Sequence, residues 1–234
     1  MATLYSPKIV TDGLIIALDA ANVKSYSGSG TTWTDLSQNG RNGTLVNGPT
    51  FDSANGGNIV FDGTNDVVRV VNPTTVITAD SPLTVSTWVK VNSSGQAIVD
   101  TINDSTTWDG WGLWANGPSN RFRWLLLKQY SIPGPAIELF LNSNTTWNGS
   151  WQHVTAVYTG TQGLIYINGI LDASANYSGG YDVAAAQANI GIGARTTAAG
   201  PTNCNIAQVQ VYNRALSATE VLQNFNATRN RFGV

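Results

Sequence analysis

The chain carries one histidine, His153, in the stretch "WQHVTAVYTGTQGLIYING" that runs from Trp151 to Gly169. A histidine works as a general base only beside a nucleophile and an acid that orients it. No G-x-S-x-G turn and no cysteine–histidine spacing accompanies it. The expectation is a structural histidine, placed by hydrogen bonds. Carboxylate chemistry is equally thin. Retaining glycoside hydrolysis needs two carboxyl groups about 5–5.5 Å apart. The chain has only two glutamates, Glu138 alone in "AIELFL" and Glu220 in a helix-cap pattern. Asp100, Asp104 and Asp109 cluster in sequence but follow no motif spacing. No catalytic residue is assigned, and a hydrolase is the least favoured of the functions considered.

Binding chemistry is better represented. Calcium takes about six to eight oxygen ligands from Asp and Asn side chains and backbone carbonyls. Asp19 and Asn22 in "LDAAN", and Asp62, Asn65 and Asp66 in "DGTND", offer such oxygens. A structural calcium is therefore the one cofactor candidate, with Asx-turns as the alternative use of the same residues. A sugar face stacks on an exposed aromatic flanked by amides and carboxylates. Trp108, next to Asp109, is the leading candidate, and Trp33 and Trp147 lie in turn-rich segments. Burial as loop anchors is the commoner fate of tryptophan, and Trp111 and Trp114 read as core residues. In the tail "NFNATRNRFGV", Phe225, Arg229, Arg231 and Phe232 are residue types enriched at interfaces. They form a candidate subunit contact, against the default of a solvated end.

The elements that must position these groups read as strands. Of 234 residues only 11% are charged, while 24 are glycine and 8 tryptophan. A helical domain uses more Glu, Lys and Arg. The net charge of -2 lacks the basic stripe that phosphate binding needs, so neither nucleic acid nor a membrane surface is an expected partner. A lone cysteine, Cys204, excludes an intramolecular disulfide framework. No stretch approaches the roughly 20 apolar residues of a membrane helix, and "MATLYSPKIVTDG" is not a Sec signal peptide. About eleven strands follow one another between Gly/Asn/Asp/Ser turns. In "LTVSTWVKV", Leu83, Val85, Val89 and Val91 share one face. Trp88 falls on the opposite, polar face, which requires either a bulge or cover on both sides. Trp151–Tyr158 and Leu164–Asn168 form a hairpin. Ser217 and Glu220 make a capping box for one terminal helix, with Val221, Leu222 and Phe225 as its apolar stripe. The fold class is all-β, a two-sheet antiparallel jelly-roll sandwich over residues 1–234, with 215–234 as a C-terminal helix and tail.

Four stretches resemble the laminin-G-like branch of the concanavalin A-like lectin/glucanase superfamily: "IVFDGTNDVVRV", "LTVSTWVKV", "WQHVTAVYTGTQGLIYING" and "IGIGAR" with "IAQVQVYNRALSATEV". The first is similar to that family's F-DG-x-x-D hairpin. The resemblance implies that His153 sits on a sandwich strand and that Trp151 packs into the core. The family's glucanases supply their carboxylates from an E-x-D-x-x-E-type strand, which is missing here. Many relatives carry an acidic pair where this chain has Ala207 and Gln208, which weakens the case for calcium. "GLIIALDAANVKSY", "TTWTDLSQNG" and "NRALSATEVLQNFNATRNRFG" also resemble virion structural proteins of tailed phages, particularly of cyanobacteria. This implies a non-enzymatic protein on the outside of a particle, a capsid decoration or a fibre or adhesin. It would be assembled in the host cytoplasm and released by lysis. Its partners would be other virion proteins, further copies of the chain and a host-surface polysaccharide. A stand-alone carbohydrate-binding module is the alternative.

Overall fold

The computed structural model describes residues 7–71, 77–102, 109–128, 137–182 and 189–234. Its strands form two antiparallel sheets. The first contains β1 (Leu14–Asp19), β4 (Thr50–Asp52), β5 (Asn58–Asp62), β7 (Leu83–Val91), β12 (Gln152–Tyr158), β13 (Gln162–Ile167), β14 (Ile170–Asn176) and β16 (Asn203–Tyr212). Their order is β14-β13-β12-β7-β16-β5-β4, with β1 also paired to β16. The second contains β2 (Thr32–Trp33), β3 (Gly43–Val46), β6 (Val67–Val71), β8 (Ala97–Asp100), β9 (Gly110–Gly117), β10 (Arg121–Lys128), β11 (Ile137–Thr146) and β15 (Asn189–Ile192). Their order is β11-β10-β9-β8-β15-β6-β3-β2. The sixteen strands among the described residues exceed the eleven expected. Several of the additional ones are two to four residues long, too short to show alternation, and lie in turn-rich sequence.

Alternation sends one side of every long strand into a shared core. Val85 and Val89 of β7, Trp111 and Leu113 of β9, Phe122 and Trp124 of β10, and Val154 and Ala156 of β12 meet there. Trp88 takes the other side of β7. That strand keeps strict alternation along β12, and the register shift lies in β16, between Ile206 and Gln208. Both faces of the first sheet are covered, so Trp88 is buried without a bulge in its own strand.

The cover is the helix α1 (Ala218–Thr228) and the 3-10 turn Arg229–Arg231 that follows. The capping box forms as expected: Ser217 Oγ accepts the Glu220 N–H, and Glu220 reaches back to the Ser217 N–H. The buried stripe is Val221, Asn224 and Phe225, one helical face at i, i+3, i+4. Leu222 faces solvent, which corrects the expected stripe. Asn224 replaces it, and its Oδ1 accepts the Val10 N–H at 2.8 Å while its Nδ2 donates to the Tyr212 hydroxyl at 3.0 Å.

Two chain reversals behave differently. β12 and β13 form the expected hairpin, and its partner hairpin turns through Asn168 and Gly169, both at positive φ (51° and 80°), as a two-residue turn requires. "IVFDGTNDVVRV" is not a hairpin. β5 belongs to the first sheet and β6 to the second, so "DGTND" is a corner between layers. Local pattern shows that two strands flank a turn but not which sheet each joins.

Candidate ligand-binding face

His153 lies on the outer side of the first sheet beneath α1, 1% exposed. Its Nε2 is 2.9 Å from Ser86 Oγ, which contacts Thr155 Oγ1 at 2.8 Å. A serine 67 residues away therefore stands where a nucleophile would, a pairing no sequence spacing reveals. It is not a catalytic unit. Nδ1 has no hydrogen-bond partner, so no acid orients the ring. Burial pushes the imidazole down to about 3, keeping it neutral. Phe225 and Trp88 pack against it at 5.9 and 5.2 Å. Trp151 is not in the core between the sheets. It is half-buried at the rim, 5.0 Å from the Phe232 ring, with Nε1 donating to Asn55 Oδ1 at 3.0 Å.

The tail residues offered as a subunit contact are used within the chain. Phe232 stacks on Trp88 at 4.0 Å and Phe225 does so at 5.8 Å. Arg231 pairs with Asp19 at 2.9 Å, and Arg229 lies over the Phe225 ring. The same residue types that suit an interface also suit this internal seam.

The proposed calcium ligands are spent on turns. Asp19 Oδ1 accepts the Ala21 N–H and the Arg231 guanidinium. Asn22 Oδ1 accepts the Lys24 N–H, and Asp62 Oδ1 the Thr64 N–H. Asp66 is buried and accepts the Asp62 N–H, while the Asn65 carbonyl accepts from Asn47. Among the described residues no three His, Cys, Asp or Glu side chains converge on one point. The Asp19, Asn22 and Asp62 contacts to the N–H two residues on are Asx-turn contacts. A similar organiser was missed in the sequence: buried Asp35 accepts the N–H groups of Ala17, Ser37 and Arg41 and folds the segment "TDLSQNGR".

Among the aromatic candidates, Trp33 is 0% and Trp147 8% exposed, so neither presents a face to a sugar. Trp108 and Asp104 lie outside the described residues. Asp109 is buried, and its Oδ1 has no hydrogen-bond partner. Burial, then Asp182, raises its carboxyl above the ordinary value. Trp111 is in the core, but Trp114 is on the outer side of the second sheet. Its indole Nε1 donates to Asp100 at 2.9 Å, and the Arg195 guanidinium lies 5.0 Å over its ring. Gly112 makes this possible, because a Cβ there would stand 2.7 Å from that indole nitrogen.

Beside this buried centre the outer face opens. Leu139 and Leu141 of β11 point inward, so Glu138, Phe140 and Asn142 point outward. On β10, Phe122 and Trp124 point inward, and Arg121 and Arg123 outward. Register places Trp114, Arg123 and Asn142 in one row across three strands, with Gly112, Leu125 and Phe140 in the next. Phe140 is 44% exposed. The Arg123 guanidinium stands 5.7 Å over its ring, and Arg123 Nε donates to Asn142 Oδ1 at 2.8 Å. Asn116, on the same face of β9, has a buried Oδ1 without a hydrogen-bond partner. An exposed aromatic ring, a half-buried guanidinium and the half-buried Asn142 amide thus lie side by side on this face. Alternation in "AIELFL" and "RFRW" was the available signal. Trp33 and Trp147 are larger rings, and their size favours burial. A cleft of about 380 Å³ adjoins the patch, lined by Leu141, Asn142, Asn144, Leu171 and Asp172.

The order of the two sheets, their shared core and a helix-covered face define a lectin-type jelly-roll sandwich. A family model described as the concanavalin A-like lectin/glucanases superfamily, laminin-G type, matches residues 62–222, and the chain belongs to that family. No curated protein matches it in sequence. Among solved structures it is similar to the binding domain of Paraclostridial Mosquitocidal Protein 1, at 18% identity and TM-score 0.69, covering 93% of this chain and 52% of that one. It is similar to the binding domain of Botulinum Neurotoxin DC in complex with SialylT, at 15% identity and TM-score 0.67, covering 93% and 52%. It also resembles domain 4 of AbnA, an extracellular GH43 arabinanase from Geobacillus stearothermophilus, in complex with arabinotriose. That match has 18% identity and TM-score 0.65, covering 90% and 97%. The chain spans about half the length of the toxin binding domains. At these identities the likeness is one of fold.

Proposed function

We propose that this chain is a non-catalytic glycan-binding protein whose ligand face is the outer side of the second sheet around Phe140. The observation that carries this is an aromatic ring held 44% exposed in a strand, with Arg123 and Asn142 beside it. An exposed aromatic ring flanked by a guanidinium and an amide gives the CH face of a sugar a stacking surface with hydrogen-bonding groups beside it. The fold-level likeness to domains crystallised as binding domains, one of them with arabinotriose, supports the same reading.

Three of the carboxylates weighed for hydrolysis are held in other roles. Asp100 is 0% exposed and bound to Trp114, Asp109 is buried, and Glu220 is held by Arg214 and the helix cap. The setting that fits the resemblance of both chain ends is the outside of a tailed-phage particle. There the protein would be a capsid decoration or fibre, contacting other virion proteins and further copies, with host polysaccharide as ligand. A stand-alone carbohydrate-binding module would use the same face. Glycan-array binding by the wild type, lost in Phe140→Ala with folding retained, is the expected result. Binding unchanged by that substitution would remove the assignment. Release of reducing ends from a bound polysaccharide would overturn the non-catalytic reading, and averaged density for this sandwich on purified particles tests the setting.

A further inference from the structure

We propose that the sugar recognised here carries a carboxylate, gripped by the Nη1/Nη2 edge of Arg123 while its ring stacks on Phe140. The inference rests on the glycan-binding reading and names the chemical class of that ligand.

Two of the eight arginines form ion pairs at the C-terminal segment. Arg214 pairs with Asp12 at 2.9 Å and Glu220 at 2.6 Å, and Arg231 pairs with Asp19. These tie the C-terminal segment down. Arg121 and Arg123 have no acidic partner among the described residues. Arg121 Nη1 donates to the Ser143 carbonyl at 3.0 Å, and Arg123 gives only its Nε, to Asn142. Of the acidic groups on the neighbouring strands, neither forms an ion pair with Arg123: Asp172 is committed elsewhere, and Glu138 stands on the far side of Phe140 from Asn142. The Asp172 carboxylate accepts the Asn144 and Thr145 N–H groups at the free edge of β11. Glu138 lies opposite Leu127, four residues along from the Asn142 that faces Arg123.

Arg123 is therefore a half-buried cation without a counter-charge. Burial alone pushes its guanidinium below the ordinary value, with no neighbouring charge contributing. One side of its plane is taken by Phe140 and the Nε position by Asn142. Among the described residues the Nη1/Nη2 edge has no protein acceptor, and this is the fork that binds a carboxylate with two parallel hydrogen bonds. A neutral sugar satisfies the amides and the ring but leaves the fork and the buried charge uncompensated. A hexuronate-type residue supplies the CH face and the anion together.

The test uses polygalacturonate, alginate and hyaluronate, each beside its esterified or carboxyl-reduced form, with neutral glycans as a further arm. The expected result is that at least one acidic polymer binds, more weakly as salt rises. Its neutralised form should bind about tenfold or more weaker, and Arg123→Gln should lose about ten- to a hundredfold, the range for a charge-assisted hydrogen bond. Arg123→Lys keeps the charge without the fork and should fall between, and thermal melts confirm that both variants fold. Equal binding of acidic and neutralised forms, or no effect of Arg123→Gln, overturns the proposal. So does binding to neutral glycans alone, which leaves the glycan-binding reading intact. Binding to none of the probes contradicts that reading itself.

Discussion

The two outward faces of the sandwich start from the same alternating strands and end differently. On the first sheet the outward residues beneath α1 and the tail are sealed: Trp88, His153 and Tyr212 are at most 1% exposed. Their polar atoms are largely matched, Trp88 Nε1 to Thr228 and Tyr212 to Val10 and Asn224. On the second sheet only the centre around Trp114 is closed, and Phe140, Arg123, Asn142 and Asn116 stay at or near the surface. The lesson is that the one α-helix among the described residues is spent on one face. Histidine and stacked aromatics on the sealed face are architecture, whereas a single phenylalanine on the open face is a candidate for recognition.

The contrast can be broken by substitution. Trp88→Ala should have the largest effect, a loss of about 3–5 kcal/mol in denaturant unfolding, because it empties the space under the tail. An effect below about 1 kcal/mol would mean that the tail is not seated on the sheet. Next comes acid. His153 is neutral in the fold down to about pH 3, while an unfolded histidine takes up its proton near pH 6.5. Stability is therefore complete above the unfolded value and falls as pH drops from 6.5 towards 3, by roughly 1.4 kcal/mol per pH unit. The raised carboxyls of Asp66 and Asp109 act in the opposite direction, and they cancel in a comparison with His153→Gln. That variant should show a flatter pH–stability curve than the wild type; equal slopes would refute the buried neutral histidine.

Smaller effects follow. Ser217→Ala removes the cap that anchors the cover and should cost about 1 kcal/mol, with a lower melting temperature but unchanged glycan binding. Loss of binding in this variant would tie recognition to the sealed face. Phe140→Ala should change stability by no more than about 0.5 kcal/mol while abolishing binding. A large destabilisation would make Phe140 a structural residue.

Much of the sealed face was legible in the sequence. The capping box of Ser217 and Glu220, the hairpin from Trp151 and the alternation through Trp88 are local patterns, and local patterns survive folding. Sheet membership was not legible: "DGTND" looks like a hairpin turn but is a corner, because strand assignment depends on distant partners. The proposed ligand face was least legible. Trp108 lies outside the described residues, and the patch around Phe140 assembles from β9, β10 and β11, whose register brings Arg123 beside Asn142, 19 residues away. Such a patch exists only in the folded sheet. Equally, Phe225 and Phe232 could not be told from interface residues until Trp88 was seen beneath them.

The most direct test of the two-face account is amide chemical-shift mapping of the labelled protein titrated with an oligosaccharide that binds it. The account predicts shifts concentrated on Asn116, Arg123, Phe140 and Asn142, with α1 and the outer side of the first sheet unmoved. Shifts concentrated on α1 or along β7 and β12, with β10 and β11 silent, would contradict it.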